Sequence, residues 1–84
     1  MTKKGTTKDE LFLVKLHEMA CQRGEYTARV NRYEIGRAIG QNDKGIDTIV
    51  KHLAQANFIK KGDGSAVYLT SNGLQLIESH LKSL

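Results

Sequence analysis

The stretch IGRAIGQNDKGIDTIVKHLAQANFI, residues 35–59, decides how this chain folds. Ile46, Ile49, Val50, Leu53 and Ala56 recur at helical spacing and fall in one sector, while Lys44, Asp47, Thr48, Lys51, His52 and Gln55 fall on the opposite one. Asn42 or Asp43 caps this helix, which runs to about Ala56, and Asn57 suits a left-handed residue after its end. Just upstream, Asn31 caps a shorter helix, with Glu34 at the third helical position, and Gly40 ends it. Ile35, Ala38 and Ile39 of that helix face inward. Gly36 in its interior costs about 1 kcal/mol relative to alanine, which points to a close helix–helix crossing. Two helices therefore follow one another across a tight turn at Gly40–Asn42.

Outward from this pair, Phe58-Ile59-Lys60-Lys61 and Ala66-Val67-Tyr68-Leu69 flank Gly62-Asp63-Gly64-Ser65, and the pattern reads as a hairpin. A register pairing Lys61 with Ala66 sets Ile59 opposite Tyr68 and Phe58 opposite Leu69. Thr70 caps a last helix from Ser71 to about Lys82, with Leu74, Ile77, Leu81 and Leu84 as its buried stripe and Leu76 and His80 beside it. At the other end, Thr7-Lys8-Asp9-Glu10 is a capping box for a helix to about Arg23, stopped by Gly24. Phe12, Leu13, Leu16, Met19 and Ala20 form one stripe of that helix, and Val14, His17 and Cys21 an adjoining one. This apolar sector is wider than one core contact needs, and a dimer contact explains the surplus. Residues 25–30 connect, with a short strand expected at 27–30. Residues 1–6 read as a flexible tail, and 7–84 as one domain.

Several classes are excluded by size and inventory. At 84 residues there is room for one core. The longest apolar run, Leu11-Phe12-Leu13-Val14, is far short of the ~20 residues that a membrane helix needs. No apolar stretch follows Lys3-Lys4, so no secretory signal and no membrane partner are expected. A single cysteine, Cys21, makes no internal disulfide, reads as a small buried residue, and suits a cytoplasmic setting. His17, His52 and His80 lie far apart, and neither a metal motif, a nucleophile elbow nor a dinucleotide loop is present. No enzyme, metal or cofactor is expected.

The net charge of +4 is segregated. Residues 29–61 carry Arg29, Arg32, Arg37, Lys44, Lys51, Lys60 and Lys61 against Glu34, Asp43 and Asp47. Lys3, Lys4 and Lys8 add a basic start, while residues 9–28 sum to −2 and residues 62–84 to −1. Positive charge gathered in one region is what a polyanion binder uses, because each neutralised phosphate releases counterions.

Taken in order, Ile35, Gly36, Ile39, Gly40, Ile46, Val50, Leu53, Ala56, Phe58 and Ile59, then Tyr68-Leu69-Thr70 and Gly73, resemble the winged helix-turn-helix superfamily, with the strongest likeness to its small MarR-like regulators. The likeness spans about residues 34–81, and Leu69-Thr70-Ser71-Asn72-Gly73-Leu74 looks like the family's junction between strand and last helix. It departs at Gln41, where the family has an apolar residue, and at Asp47, where many members are more basic. The resemblance implies an α+β, mostly helical fold with a three-helix core, a two-stranded wing and a C-terminal helix. It also implies a transcriptional regulator that lays helix 43–56 in the major groove of double-stranded DNA and sets the 58–69 wing on the backbone.

The residues expected to carry that binding lie on three elements. On the helix, Lys44 and Lys51 suit phosphates or guanine edges, Thr48 a thymine methyl or a phosphate, and Asp47 the amino group of cytosine. Gly45 permits close approach to the groove floor, His52 meets backbone, and Asn42 positions phosphate near the helix start. The wing offers Lys60, Lys61 and Ser65. Arg32 and Arg37 flank the shorter helix and grip backbone. A homodimer through helices 7–23 and 71–83 would set two such helices ~34 Å apart, one turn of DNA. Asp43 and Asp47 on the outer face keep a second reading open, a winged-helix protein-interaction module without DNA binding.

Overall fold

The computed structural model describes residues 7–81. The expected tail at 1–6 and the last three residues, Lys82 and Leu84 among them, lie outside that range, and the side chains of His80 and Leu81 are likewise not described. Over the described residues the fold is α+β and mostly helical. Its elements are α1 (Lys8–Gln22), β1 (Val30–Asn31), α2 (Arg32–Ile39), α3 (Asp43–Gln55), β2 (Ile59–Lys61), β3 (Ala66–Leu69) and α4 (Ser71–Leu76), which runs on as a π-helical turn over Ile77–Leu81.

Each helix starts where a short polar side chain can satisfy an otherwise unpaired amide. The Thr7 hydroxyl accepts from the Glu10 amide at 3.1 Å, and Glu10 Oε1 accepts from the Thr7 amide at 2.9 Å, closing the capping box. Asn42 Oδ1 accepts from the Gly45 amide at 2.8 Å, and the Thr70 hydroxyl from the Gly73 amide at 3.0 Å. Asn31 caps α2 by accepting from the Tyr33 amide at 2.8 Å. Glu34 does not reach back to complete a second capping box there; it pairs with Arg23 at 3.5 Å and ties α2 to the end of α1. Gly40 ends α2 at φ +78°, and Asn57 follows α3 at φ +66°, both in the left-handed region expected of them.

The core lies between α1, α2 and α3 on one side and a three-stranded antiparallel sheet, ordered β1-β3-β2, on the other. Phe12, Leu13, Leu16 and Ala20 bring α1 to it; Ile46, Ile49, Val50 and Leu53 bring α3. Met19 packs at the margin. The crossing of α2 and α3 is as tight as Gly36 implies, since a Cβ there would stand 2.5 Å from Ile46 Cγ1. Gly73 has the same role for α4: a Cβ there would run into the backbone carbonyl of Phe58.

Four expectations are corrected. The hairpin register is shifted by one residue: Ile59 faces Leu69, Lys60 faces Tyr68 and Lys61 faces Val67. The reason is burial. Opposed residues share a face, so this register puts Ile59, Val67 and Leu69 together against the core and leaves Tyr68 on the outer face; the other register would have set Tyr68 beside Ile59. The loop closes between Gly62 and Ala66, whose amide and carbonyl bond at 2.9 Å, with Gly64 left-handed at φ +59°. The strand expected at 27–30 is Val30–Asn31 only, paired to β3. Ala38, Ala56 and Cys21 are exposed, because each sits beyond the sector that its helix turns to the core. The last helix changes pitch after Leu76, with Ile77 buried and Leu74 and Leu76 packed at the margin.

Candidate nucleic-acid interface

The outer side of α3 follows from its own periodicity. With Ile46, Ile49, Val50 and Leu53 buried, Lys44, Asp47, Thr48, Lys51 and His52 are turned to solvent. Lys44 and Thr48 lie one turn apart, and the Thr48 hydroxyl donates to the Lys44 carbonyl at 3.3 Å. That bond leaves the Thr48 oxygen still able to accept. Gly45 is half-buried. The Gln41 side chain lies over it, since a Cβ on Gly45 would be 2.9 Å from Gln41 Oε1 and 3.3 Å from Asn42 Oδ1. Asp43 in the first turn puts a carboxylate where the helix dipole favours an anion.

Asp47 is engaged within the protein. Its Oδ1 accepts from the Tyr33 hydroxyl at 2.7 Å and lies 3.6 Å from Arg32 Nη1. The side chain is nevertheless 54 % exposed, so the carboxylate is held from behind while still facing outward. The bond to Asp47 raises the Tyr33 phenol above its ordinary value of 10.0, with desolvation and the Asp47 charge adding to it. Tyr33 therefore remains a donor throughout the neutral range. Arg32 is placed differently from the lysines: only 12 % of its side chain is exposed. Its Nε donates to the Ser65 carbonyl at 3.2 Å, and its backbone amide donates to the same oxygen at 3.0 Å. Arg32 also lies 5.9 Å from the Tyr33 ring centroid.

His52 looks away from this cluster, toward Asp9 of α1 at 3.9 Å, a pair that gains attraction only when the imidazole is protonated. Lys60 and Lys61 are both exposed, but strand alternation sends them to opposite faces of the hairpin. Lys60 shares the outer face with Tyr68, over whose ring Arg29 stacks at 4.4 Å. Ser65 is half-buried at the base of the loop. Arg37 is exposed in the last turn of α2, and among the described residues no ion pair or hydrogen bond joins it to the α3 face. The structure thus brings Arg32, Asp47 and Ser65 together, sets Lys44, Thr48 and Lys51 along one exposed helix face, and leaves Arg37 and His52 apart.

Two participants were not foreseen. Tyr33 stands fourteen positions from Asp47, and only the α2–α3 crossing joins them. Arg29 precedes β1, and its place over Tyr68 follows once β1 is known to pair with β3. Among the described residues no set of three His, Cys, Asp or Glu side chains could hold a metal ion, and no helix is long and apolar enough to cross a membrane. No protein-family model, curated protein or solved structure matches this chain.

Proposed function

We propose that this chain is a winged-helix protein that binds duplex DNA as a transcriptional regulator, with α3 as the reading helix in the major groove and the β2–β3 hairpin as the wing against the backbone. The observation that carries the reading is the exposed row Lys44, Thr48 and Lys51 on a helix held by a glycine-tight crossing, next to a hairpin bearing Lys60 and Lys61. The order of elements, and β1 pairing with β3 beside β2, agree with that layout. Lys44 and Lys51 meet phosphates or guanine edges, and Thr48 meets a thymine methyl. Asp47, held by Tyr33 and Arg32, offers an oriented acceptor to a base amino group. Lys60, Lys61 and Arg37 contact backbone.

In the same reading the protein works in the cytoplasm as a homodimer. Leu11 and Val14, one turn apart on α1 and 44 % and 39 % exposed, supply apolar surface for a second copy. The second reading, a winged-helix module that binds protein, is favoured by the exposed Asp43 and Asp47 on the α3 surface. Anisotropy titration of a labelled mixed-sequence duplex, at low and moderate salt, separates the two. DNA binding gives a log affinity that falls linearly with log salt, and Lys51→Glu weakens it on the order of a hundredfold at low salt without altering the circular dichroism spectrum. Undetectable binding at low salt, or Lys51→Glu binding like wild type, removes the reading.

A further inference from the structure

We infer that Arg32 is a positioning residue: it sets the hairpin loop against the exposed face of α3 and does not itself touch nucleic acid. Everything this side chain does is directed inward. One end of its guanidinium, Nε, donates to the Ser65 carbonyl at the loop; the other, Nη1, faces the Asp47 carboxylate on α3. These two partners belong to different elements, eighteen residues apart in sequence. The Arg32 amide makes a second bond to the Ser65 carbonyl, so main chain and side chain hold the same loop oxygen. Tyr33, the next residue, fixes Asp47 from the α2 side. The first turn of α2 is therefore a junction on which loop and reading helix both rest.

Chemistry explains why arginine stands there. A guanidinium presents separate donors in a rigid fork and can serve two acceptors in different directions. A lysine ammonium on a flexible stem is a point charge that would satisfy one of them at a time. With most of its side chain covered, Arg32 is also a poor candidate for a phosphate, in contrast to the exposed Lys44, Lys51, Lys60 and Lys61. Its covered charge has a second effect, since it offsets the Asp47 carboxylate on a face otherwise offered to a polyanion.

The inference rests on the DNA-binding reading, and the test separates the two. Arg32→Lys and Arg32→Ala are titrated against a labelled mixed-sequence duplex across a range of salt, beside wild type. A phosphate contact would survive in Arg32→Lys, and Arg32→Ala would lower the salt slope by about one. The positioning role predicts that Arg32→Lys weakens binding roughly tenfold with the slope unchanged. It further predicts that Lys61→Ala weakens binding in wild type but not in the Arg32→Lys background, whereas Lys44→Ala costs the same in both. A general loss of stability would not produce that split. Hydrogen exchange supplies a readout free of DNA: in Arg32→Lys the amide of residue 32 exchanges roughly tenfold faster, while core amides of α1 do not. Wild-type-like affinity of Arg32→Lys, or an unchanged exchange rate at residue 32, overturns the positioning role. If wild type binds no duplex, the functional reading fails, and the exchange result alone decides the fate of Arg32.

Discussion

Replacing Gly36 with alanine tests the feature that places α3. A Cβ on residue 36 would stand 2.5 Å from Ile46 Cγ1, 3.0 Å from Ile46 Cδ1 and 3.3 Å from the Gln41 carbonyl oxygen. Carbon atoms rest about 3.5–4.0 Å apart, so the helices must separate by about 1 Å or Ile46 must leave its rotamer. Ile46 is fully buried, β-branched and stiff, and overpacking of this kind costs about 1–3 kcal/mol. Alanine also returns about 1 kcal/mol of helix propensity, which leaves a net loss of up to about 2 kcal/mol. For a domain of this size each kcal/mol lost lowers Tm by about 4–8 °C.

The informative experiment is a double-mutant cycle with Ile46→Ala, read by urea unfolding. Ile46→Ala alone costs about 2–5 kcal/mol. It also removes the atoms that the new methyl strikes. In that background Gly36→Ala should change sign and stabilise by about 0.5–1 kcal/mol. Equal destabilisation by Gly36→Ala in both backgrounds would refute the claim that a contact with Ile46 is what demands glycine there.

Two further outcomes follow from other contacts. Gly73→Ala meets the rigid carbonyl of Phe58 and the Leu69 side chain rather than the end of a mobile one, so it should destabilise more than Gly36→Ala, by about 3 kcal/mol in thermal or urea unfolding; a loss smaller than that of Gly36→Ala would contradict this packing. Ultraviolet titration of the tyrosines should show one phenol, absent in Tyr33→Phe, ionising above the ordinary value, and Asp47→Asn should bring it down. Because the phenol is raised in the folded protein, its contribution to stability is complete below pH 10.0 and is lost as pH rises through the folded value. A Tyr33 titration unmoved by Asp47→Asn would dissolve the link between α2 and α3.

What could be read from the residues alone was whatever local chemistry decides. Thr7, Asn31, Asn42 and Thr70 announce helix starts because each can accept from an amide two or three residues on. Gly40 and Asn57 announce ends because they tolerate positive φ, and Gly36 announces a crossing because nothing local rewards it. The register of the hairpin was not local. Both registers keep the Asp63-Gly64 turn, and only the demand that Val67 and Leu69 join Ile59 against the core chooses between them. Nor was β1 local, since two residues form a strand only when β3 lies beside them.

The candidate site was legible in the same uneven way. The exposed row on α3 follows from period and burial. The roles of Arg32, Tyr33 and Asp47 do not, because they arise where the first turn of α2 passes the middle of α3 and the base of the loop. Read singly, Arg32 looks like a backbone grip and Asp47 like a lone reading residue. Together with Tyr33 and Ser65 they form a joint between the two halves of the proposed interface.

The most direct test of that interface is a nuclear magnetic resonance titration of the labelled protein with a short mixed-sequence duplex at low salt. The largest shifts are expected on Lys44, Thr48 and Lys51 of α3 and on Lys60 and Lys61 of the hairpin, with the outer residues of α1 unmoved. Shifts confined to α1 and α4, or none at any residue, would contradict it.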